Sequence, residues 1–261
     1  MKQYIVDAFT NKPFTGNPAA VCVMDSWPSD ASMMKLAREN SLSETAFLVK
    51  EGDGYRLRWF TPGTEVELCG HATLASAFVI LNLMEPESRA VTFQTRSGDL
   101  MVQRNGSFFE MDFPTYPLKE IPVTDAMEKA FGVRPVRAML GLDLICVFAS
   151  EEDVRAMQPD QAKLEQLEGR IQNATARGYE ADCVSRSFCP KLAIAEDPVC
   201  GSAHCQIAPY WAELLQKTEI KAYQASARGG SLYCRVREDG RITISGEAVL
   251  VAVSEIIARL D

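Results

Sequence analysis

Histidine is almost absent from this chain: 261 residues contain two, His71 and His204. Long apolar runs are missing as well. No segment approaches the roughly 20 residues that a helical membrane span needs. The apolar run at the N-terminus (Tyr4-Ile5-Val6-Asp7-Ala8-Phe9) is too short for a signal sequence and reads as a strand. There is no cluster of Lys and Arg resembling a phosphate track, and the net charge is -8, so neither nucleic acid nor a membrane is expected as a partner. The chain has no Gly-x-Ser-x-Gly elbow, P-loop or dinucleotide fingerprint, which leaves hydrolase-elbow, phosphoryl-transfer and nicotinamide chemistry without support. Present instead is an ample core composition, 47% hydrophobic, at a length suited to one large domain or two ordinary ones. The eight cysteines are even in number, yet several lie in apolar strand patterns such as Val21-Cys22-Val23 and Ile145-Cys146-Val147. Such thiols are usually buried and reduced, which favours a cytoplasmic protein over a disulfide scaffold.

The scarce histidines mark a motif used twice. Each lies within four residues of a cysteine, in Cys69-Gly70-His71-Ala72 and in Cys200-Gly201-Ser202-Ala203-His204. A strand-like segment ending in Phe-x-Pro precedes each copy (Phe60-Thr61-Pro62, Phe188-Cys189-Pro190), and a helix-like apolar stretch follows. Arg58-Trp59-Phe60 answers Arg186-Ser187-Phe188, and Phe93-Gln94 answers Tyr223-Gln224. Leu100 with Arg104-Asn105-Gly106 answers Leu232 with Glu238-Asp239-Gly240. Two copies at so long a period do not make a solenoid. They point to an internal duplication into two similar lobes.

Apolar patterning predicts strands near 2–9, 19–24, 45–50 and 55–61, then 90–95, 98–104 and 107–113, the last two joined by Asn105-Gly106. Helical spacing appears in 30–39, behind the cap candidate Asp30, and in 71–83. The proline-bearing stretch 114–122 is the candidate linker and hinge, which gives an N-terminal lobe over 1–113 and a C-terminal lobe over 123–261. In the second lobe strands are expected near 136–140, 144–149, 170–175, 182–188, 221–225, 231–237, 241–247 and 249–255, with a helix over 202–215. Extra helical material at 152–168 is polar and reads as peripheral. One long helix per lobe amid strands implies an α+β fold of two pseudo-symmetric lobes, each a mostly antiparallel sheet wrapped around its central helix. Leu74, Ala77, Phe78 and Leu81, and Ile207, Tyr210, Trp211 and Leu214, are the expected core faces.

A helix start carries unpaired N–H groups and partial positive charge, so it attracts carboxylates and can lower a thiol pKa. Gly70 and Gly201 would let a ligand approach that backbone closely. Taken singly, a Cys-Gly turn merely joins strand to helix; the duplication and the nearby imidazole and hydroxyl favour a site instead, with the two turns facing each other across a cleft. Asp197, before Pro198, is either a turn former or a carboxylate that orients His71 or a substrate. Glu44 on pattern alone is an ordinary strand-edge carboxylate. Cys69, His71, Cys200 and His204 invite a zinc reading, but Cys-x-His and Cys-x3-His are not the spacings of the common structural sites, and no metal is expected.

Several stretches closely resemble the phenazine biosynthesis PhzF-like family, in family order and across nearly the whole chain. They are Phe14-Thr15-Gly16-Asn17-Pro18-Ala19-Ala20-Val21, Ser43-Glu44-Thr45-Ala46-Phe47, Arg58-Trp59-Phe60-Thr61-Pro62 and Glu67-Leu68-Cys69-Gly70-His71-Ala72-Thr73. Ala195-Glu196-Asp197-Pro198-Val199-Cys200-Gly201-Ser202-Ala203-His204 and Arg228-Gly229-Gly230 complete the set. The resemblance implies the diaminopimelate epimerase-like fold, a last strand that crosses back to the first lobe, a homodimer, and no metal or organic cofactor. It matches the family's catalytic glutamate to Glu44 and its supporting histidine, aspartate and serine to His71, Asp197 and Ser202. Asn17, Gly70, Gly201, Cys69 and Cys200 are then expected to contact the substrate. The implied activity is a cofactor-independent isomerisation of a small carboxylated molecule by proton transfer. Many relatives carry Thr where this chain has Cys200, and related epimerases use paired cysteines in equivalent turns. A two-thiol racemase using Cys69 and Cys200 is therefore the alternative enzyme, and a non-catalytic metabolite-binding protein is the alternative of another class.

Overall fold

Both Cys-Gly turns open helices that are wrapped by strands. The computed structural model of the chain describes residues 1–258 and 260–261. In the helix Gly70–Phe78 every residue from His71 to Phe78 is buried, so it has no solvent face at all. Its small side chains (Ala72, Ala75, Ala77) let strands close around it. Beyond Phe78 the helix loosens into a π-helical stretch, Val79–Met84, within the span expected to be one regular helix. Arg104 holds that end by donating to the Leu81 carbonyl at 2.6 Å and to the Pro86 carbonyl at 2.6 Å. The second helix, Gly201–Leu215, contains Pro209, whose missing N–H leaves the Cys205 carbonyl without its helical donor. The Tyr116 N–H takes that carbonyl at 3.3 Å.

The chain forms two units, Met1–Asp112 with Ser245–Asp261, and Phe113–Ile244. In the first, neighbouring strands run Ala248–Glu255, Lys2–Ala8, Asn17–Met24, Glu44–Glu51, Gly54–Phe60, Ala90–Thr95, Gly98–Asn105 and Phe108–Pro114. The successive pairings are antiparallel, antiparallel, parallel, antiparallel, parallel, antiparallel and antiparallel. In the second unit the order is Lys119–Ile121, Arg137–Leu140, Leu144–Val147, Gln172–Arg177, Cys183–Cys189, Glu219–Gln224 and Gly230–Val236. Its pairings repeat the same succession of senses over six steps. A short strand side-pairs at the same place in each, Glu65–Val66 on Gly54–Phe60 and Ile194–Asp197 on Cys183–Cys189. The duplicated sequence therefore folds into duplicated topology, an α+β arrangement.

The repeat extends to side chains. Arg58 donates Nε and Nη2 to Glu65 at 2.7 and 2.8 Å, and Arg186 makes the same fork to Glu196 at 2.8 and 2.8 Å. Each guanidinium also lies over the phenylalanine two residues on, Phe60 at 5.1 Å and Phe188 at 5.0 Å. Three readings of the sequence need correction. The segment 152–168 is not peripheral: Val154, Met157, Leu164 and Leu167 enter the second core beside Phe131, Phe148 and Phe188. Leu214 is 53% exposed, because the last turn of its helix emerges from the strands that enclose Ile207 and Trp211. The helix Asp125–Phe131 is not predicted by the apolar patterning; its Thr124 cap and Gly132 stop are its sequence signals.

Candidate active site

Gly16 fixes the first entry to the site. Its φ is +68°, and a Cβ there would lie 2.2 Å from the Ala8 carbonyl oxygen, so only glycine lets the chain turn directly into Asn17. Asn17 begins a strand that runs parallel to Glu44–Glu51, with Ala19 opposite Glu44. Asn17 Nδ2 lies 3.1 Å from His71 Nδ1, and Cys69 Sγ lies 3.5 Å from the same nitrogen. On the opposite edge of the ring, His71 Nε2 is 3.2 Å from Glu44 Oε2. Both atoms are buried, and their mutual orientation is too skewed for a hydrogen bond to form. Nε2 is thus the ring nitrogen that faces the carboxylate, and Nδ1 the one that faces Asn17 and Cys69. Asn17, Glu44, Cys69 and His71 are thus brought together by the first unit.

Burial disfavours a charged His71, but its neighbours Cys69 and Glu44 outweigh that and hold its pKa well above the usual imidazole range. Burial, reinforced by the Glu44 carboxylate, raises the Cys69 thiol. Cys69 is therefore protonated near neutrality, and Glu44 is the charge that retains a proton on His71. Glu44, Cys69 and His71 offer three potential ligand atoms within 4.8 Å of one another. Cysteine and glutamate, however, address opposite edges of the imidazole, at Nδ1 and Nε2 respectively. That donor set suits proton transfer better than the grip of one ion.

The second unit assembles a different set. Asp197 Oδ1 accepts the Val199 N–H at 3.1 Å, and buried Gln224 locks the turn by donating to the Asp197 carbonyl at 2.6 Å and accepting the Cys200 N–H at 2.8 Å. Ser202 Oγ lies 3.4 Å from Cys200 Sγ and accepts from Arg170 Nη2 at 3.0 Å. Burial, then the Asp197 charge, pushes the Cys200 thiol well up. His204 is wholly buried between the Cys200 carbonyl (2.7 Å) and Ser185 Oγ (3.1 Å), and burial lowers its pKa to about 4. It is a neutral core histidine. Arg170, Gln224 and the buried Asp143 were missed as site residues. Only Gln224 carried a signal, as the repeat partner of Gln94.

Capping separates these two helices from their neighbours. The helices that follow Ser29, Thr124, Ser150 and Asp160 all begin with a side-chain oxygen accepting a first-turn N–H. Cys69 and Cys200 occupy the same cap position with extended backbone and make no such bond. Their first-turn donors are thus not consumed by a capping oxygen.

Residues 6–254 match the family model described as phenazine biosynthesis-like protein. An uncharacterized isomerase of Pseudomonas aeruginosa is 48% identical over 252 residues, covering 96% of each chain. Phenazine biosynthesis-like domain-containing protein 1 of mouse is 38% identical, covering 95% of this chain and 96% of its own. A crystal structure of a phenazine biosynthesis PhzF-family protein from Enterococcus faecalis superposes with a TM-score of 0.96 at 47% identity, covering 98% of this chain and 99% of that one. With its duplicated diaminopimelate epimerase-like fold and motifs in family order, the chain belongs to the phenazine biosynthesis-like protein family.

Proposed function

We propose that the protein is a cofactor-independent isomerase that moves a proton on a small carboxylated substrate. Glu44 is its acid/base group, and His71, Asp197 and Ser202 are its supporting residues. The single observation that carries this reading is the facing pair, Glu44 Oε2 and His71 Nε2, 3.2 Å apart, buried, and without hydrogen bonds. Burying polar atoms without hydrogen bonds costs about 1–3 kcal/mol each, a cost that structure alone does not demand but a reacting C–H or enol oxygen would offset. A carboxylate is a weak base toward carbon, so charge developing on the substrate must be stabilised as the proton leaves. The unconsumed N–H groups at the starts of the Gly70 and Gly201 helices are suited to that role. Gly70, Gly201, Asn17, Cys69 and Cys200 are read as substrate contacts.

The two-thiol racemase needs one sulfur as thiolate, and burial beside a carboxylate raises both thiols. That weighs for the glutamate mechanism. The name isomerase borne by the relative from Pseudomonas aeruginosa supports the same class. A homodimer rests on the family resemblance, and the eight free, buried thiols favour a reducing cytoplasm. Among the described residues no helix is long and apolar enough to cross a membrane.

The test is a thermal-shift screen of carboxylated metabolites, followed by NMR of the stabilising compounds in D₂O with catalytic amounts of protein. Deuterium entering one carbon of a hit supports the isomerase. Binding without deuterium at any carbon, across all hits, supports the metabolite-binding alternative instead.

A further inference from the structure

In the ion pair that the two units share, the Nε–Nη2 edge of an arginine meets a carboxylate, as Arg58 does Glu65 and Arg186 does Glu196. Arg170 does not. Only its Nε meets Asp143, at 3.2 Å, while Nη2 turns away to Ser202 Oγ at 3.0 Å. Its Nη1 makes no hydrogen bond among the described residues. The side chain is 40% exposed, against 14% for Arg58 and 11% for Arg186.

Asp143 does not depend on Arg170 alone. Fully buried, it accepts the Ile171 N–H at 3.2 Å and Gln206 Nε2 at 2.8 Å. The guanidinium is therefore steered by Asp143 rather than consumed by it. The turn that carries it is fixed as well. Gly169 has φ +80°, and a Cβ there would lie 2.3 Å from the Leu144 nitrogen. Its carbonyl accepts from Lys191 Nζ at 2.7 Å and Gln172 Nε2 at 3.1 Å, and Lys191 also donates to the Leu167 carbonyl. A cation held this rigidly loses little entropy when an anion arrives.

We propose that Arg170 is the carboxylate-recognising residue of this enzyme, donating from its free Nη1 edge to the substrate carboxylate beside Ser202. The inference rests on the isomerase reading for the word substrate, but its chemistry is independent: a planar guanidinium with free donors takes a carboxylate through paired, charge-assisted hydrogen bonds. Ser202, already bonded to Nη2, would have its hydroxyl proton directed toward the same anion. Arg170 thereby sets specificity for acids over their neutral amides, while Glu44 performs the chemistry.

The test uses the full-length protein with ¹⁵N-labelled arginine, titrated with sodium benzoate and, in parallel, with neutral benzamide and with sodium chloride. The Arg170 Nε–Hε resonance is assigned by its loss in Arg170→Gln. The expected result is a saturable shift of that resonance with benzoate and none with benzamide. Benzoate affinity should fall at least tenfold in Arg170→Gln and recover partly in Arg170→Lys, which keeps a cation beside Asp143. Absence of saturable benzoate binding, equal binding of benzamide, or unchanged affinity in a folded Arg170→Gln would each overturn the assignment. The isomerase reading fails separately, through absence of deuterium incorporation, and that result would leave an Arg170-dependent anion site standing.

Discussion

His71 is the second residue of its helix and meets the Glu44 carboxylate; His204 is the fourth residue of its helix and meets a hydroxyl and a backbone carbonyl. Two residues of displacement within duplicated turns separate an imidazole whose pKa is raised by its neighbours from one whose pKa is lowered by burial. The same divergence runs through both units. The first gathers a carboxylate, an imidazole and a thiol at Glu44, His71 and Cys69; the second gathers a guanidinium and a hydroxyl at Arg170 and Ser202. Duplication supplied two equivalent helix starts; on the proposed reading, divergence gave each a separate task.

The largest effect should come from breaking that division at Glu44. Glu44→Gln keeps the shape and removes the titrating oxygen, so turnover, followed as deuterium incorporation, should fall about 10²–10⁴-fold. His204→Gln should leave turnover within about tenfold of wild type. Equal losses at the two positions would mean that the units are not specialised.

The duplicated ion pairs test whether equivalent positions are equivalent in energy. Removing one member of a largely buried pair costs about 3–5 kcal/mol, because the other charge is left without compensation. Arg186→Met should approach that cost in urea unfolding. Arg58→Met should cost less, since Glu65 keeps Arg96 at 2.8 Å, whereas Arg186 also supplies a hydrogen bond to the Met157 carbonyl at 2.6 Å. The reverse order would show that neither Arg96 nor the Met157 carbonyl decides the difference.

A smaller effect follows from the histidines and pH. His204 titrates at about 4 when folded, below the usual 6.5, so the unfolded chain binds the extra proton first. Its contribution is complete above pH 6.5 and is lost as pH falls toward 4, to a total of about 3 kcal/mol. His71, shifted upward, works in the opposite sense: its contribution is present below pH 6.5 and is lost as pH rises through its folded value. Urea unfolding from pH 7.5 to pH 4.5 should therefore show a shallower acid slope in His204→Gln and a steeper one in His71→Gln.

Topology was legible because it was written twice. Repeated Phe-x-Pro, Cys-Gly and Gln positions marked corresponding strands, and the pairing senses repeat accordingly. Leu214 misled because helical periodicity reports a face but not where along the helix the enclosing strands end. The segment 152–168 misled for the opposite reason: its polar surface hid single buried anchors, Val154 and Leu164. At the site, motif spacing could mark Cys69, His71, Cys200 and Ser202, which lie in consecutive turns. Glu44 came only through family resemblance, because parallel strand register brings it to His71 and register is a non-local property. Arg170 had no local signal, since its meaning depends on Asp143, Gln206 and Ser202, brought from elsewhere in the unit.

The smallest expected effect is the most informative about chemistry. Cys200→Thr installs the residue common among relatives at a cap position with φ -99° and ψ 99°, backbone that a β-branched residue adopts readily. The threonine hydroxyl can accept a first-turn N–H, which the thiol does not do here, and good caps contribute about 0.5–2 kcal/mol relative to Ala. The site is nearly closed, with Cys200 4% exposed, so the added methyl must find room beside Ser202 and will offset part of that gain. Stability should therefore change by less than about 1 kcal/mol, in either direction. Turnover should fall by less than tenfold, about 1.4 kcal/mol of barrier, because burial and the Asp197 charge disfavour a Cys200 thiolate. A two-thiol racemase could not survive the change, since threonine cannot ionise in place of the second sulfur. Loss of about 10³-fold or more with stability intact would transfer the chemistry from Glu44 to the paired cysteines, and would make the two helix starts partners in one task rather than specialists in two.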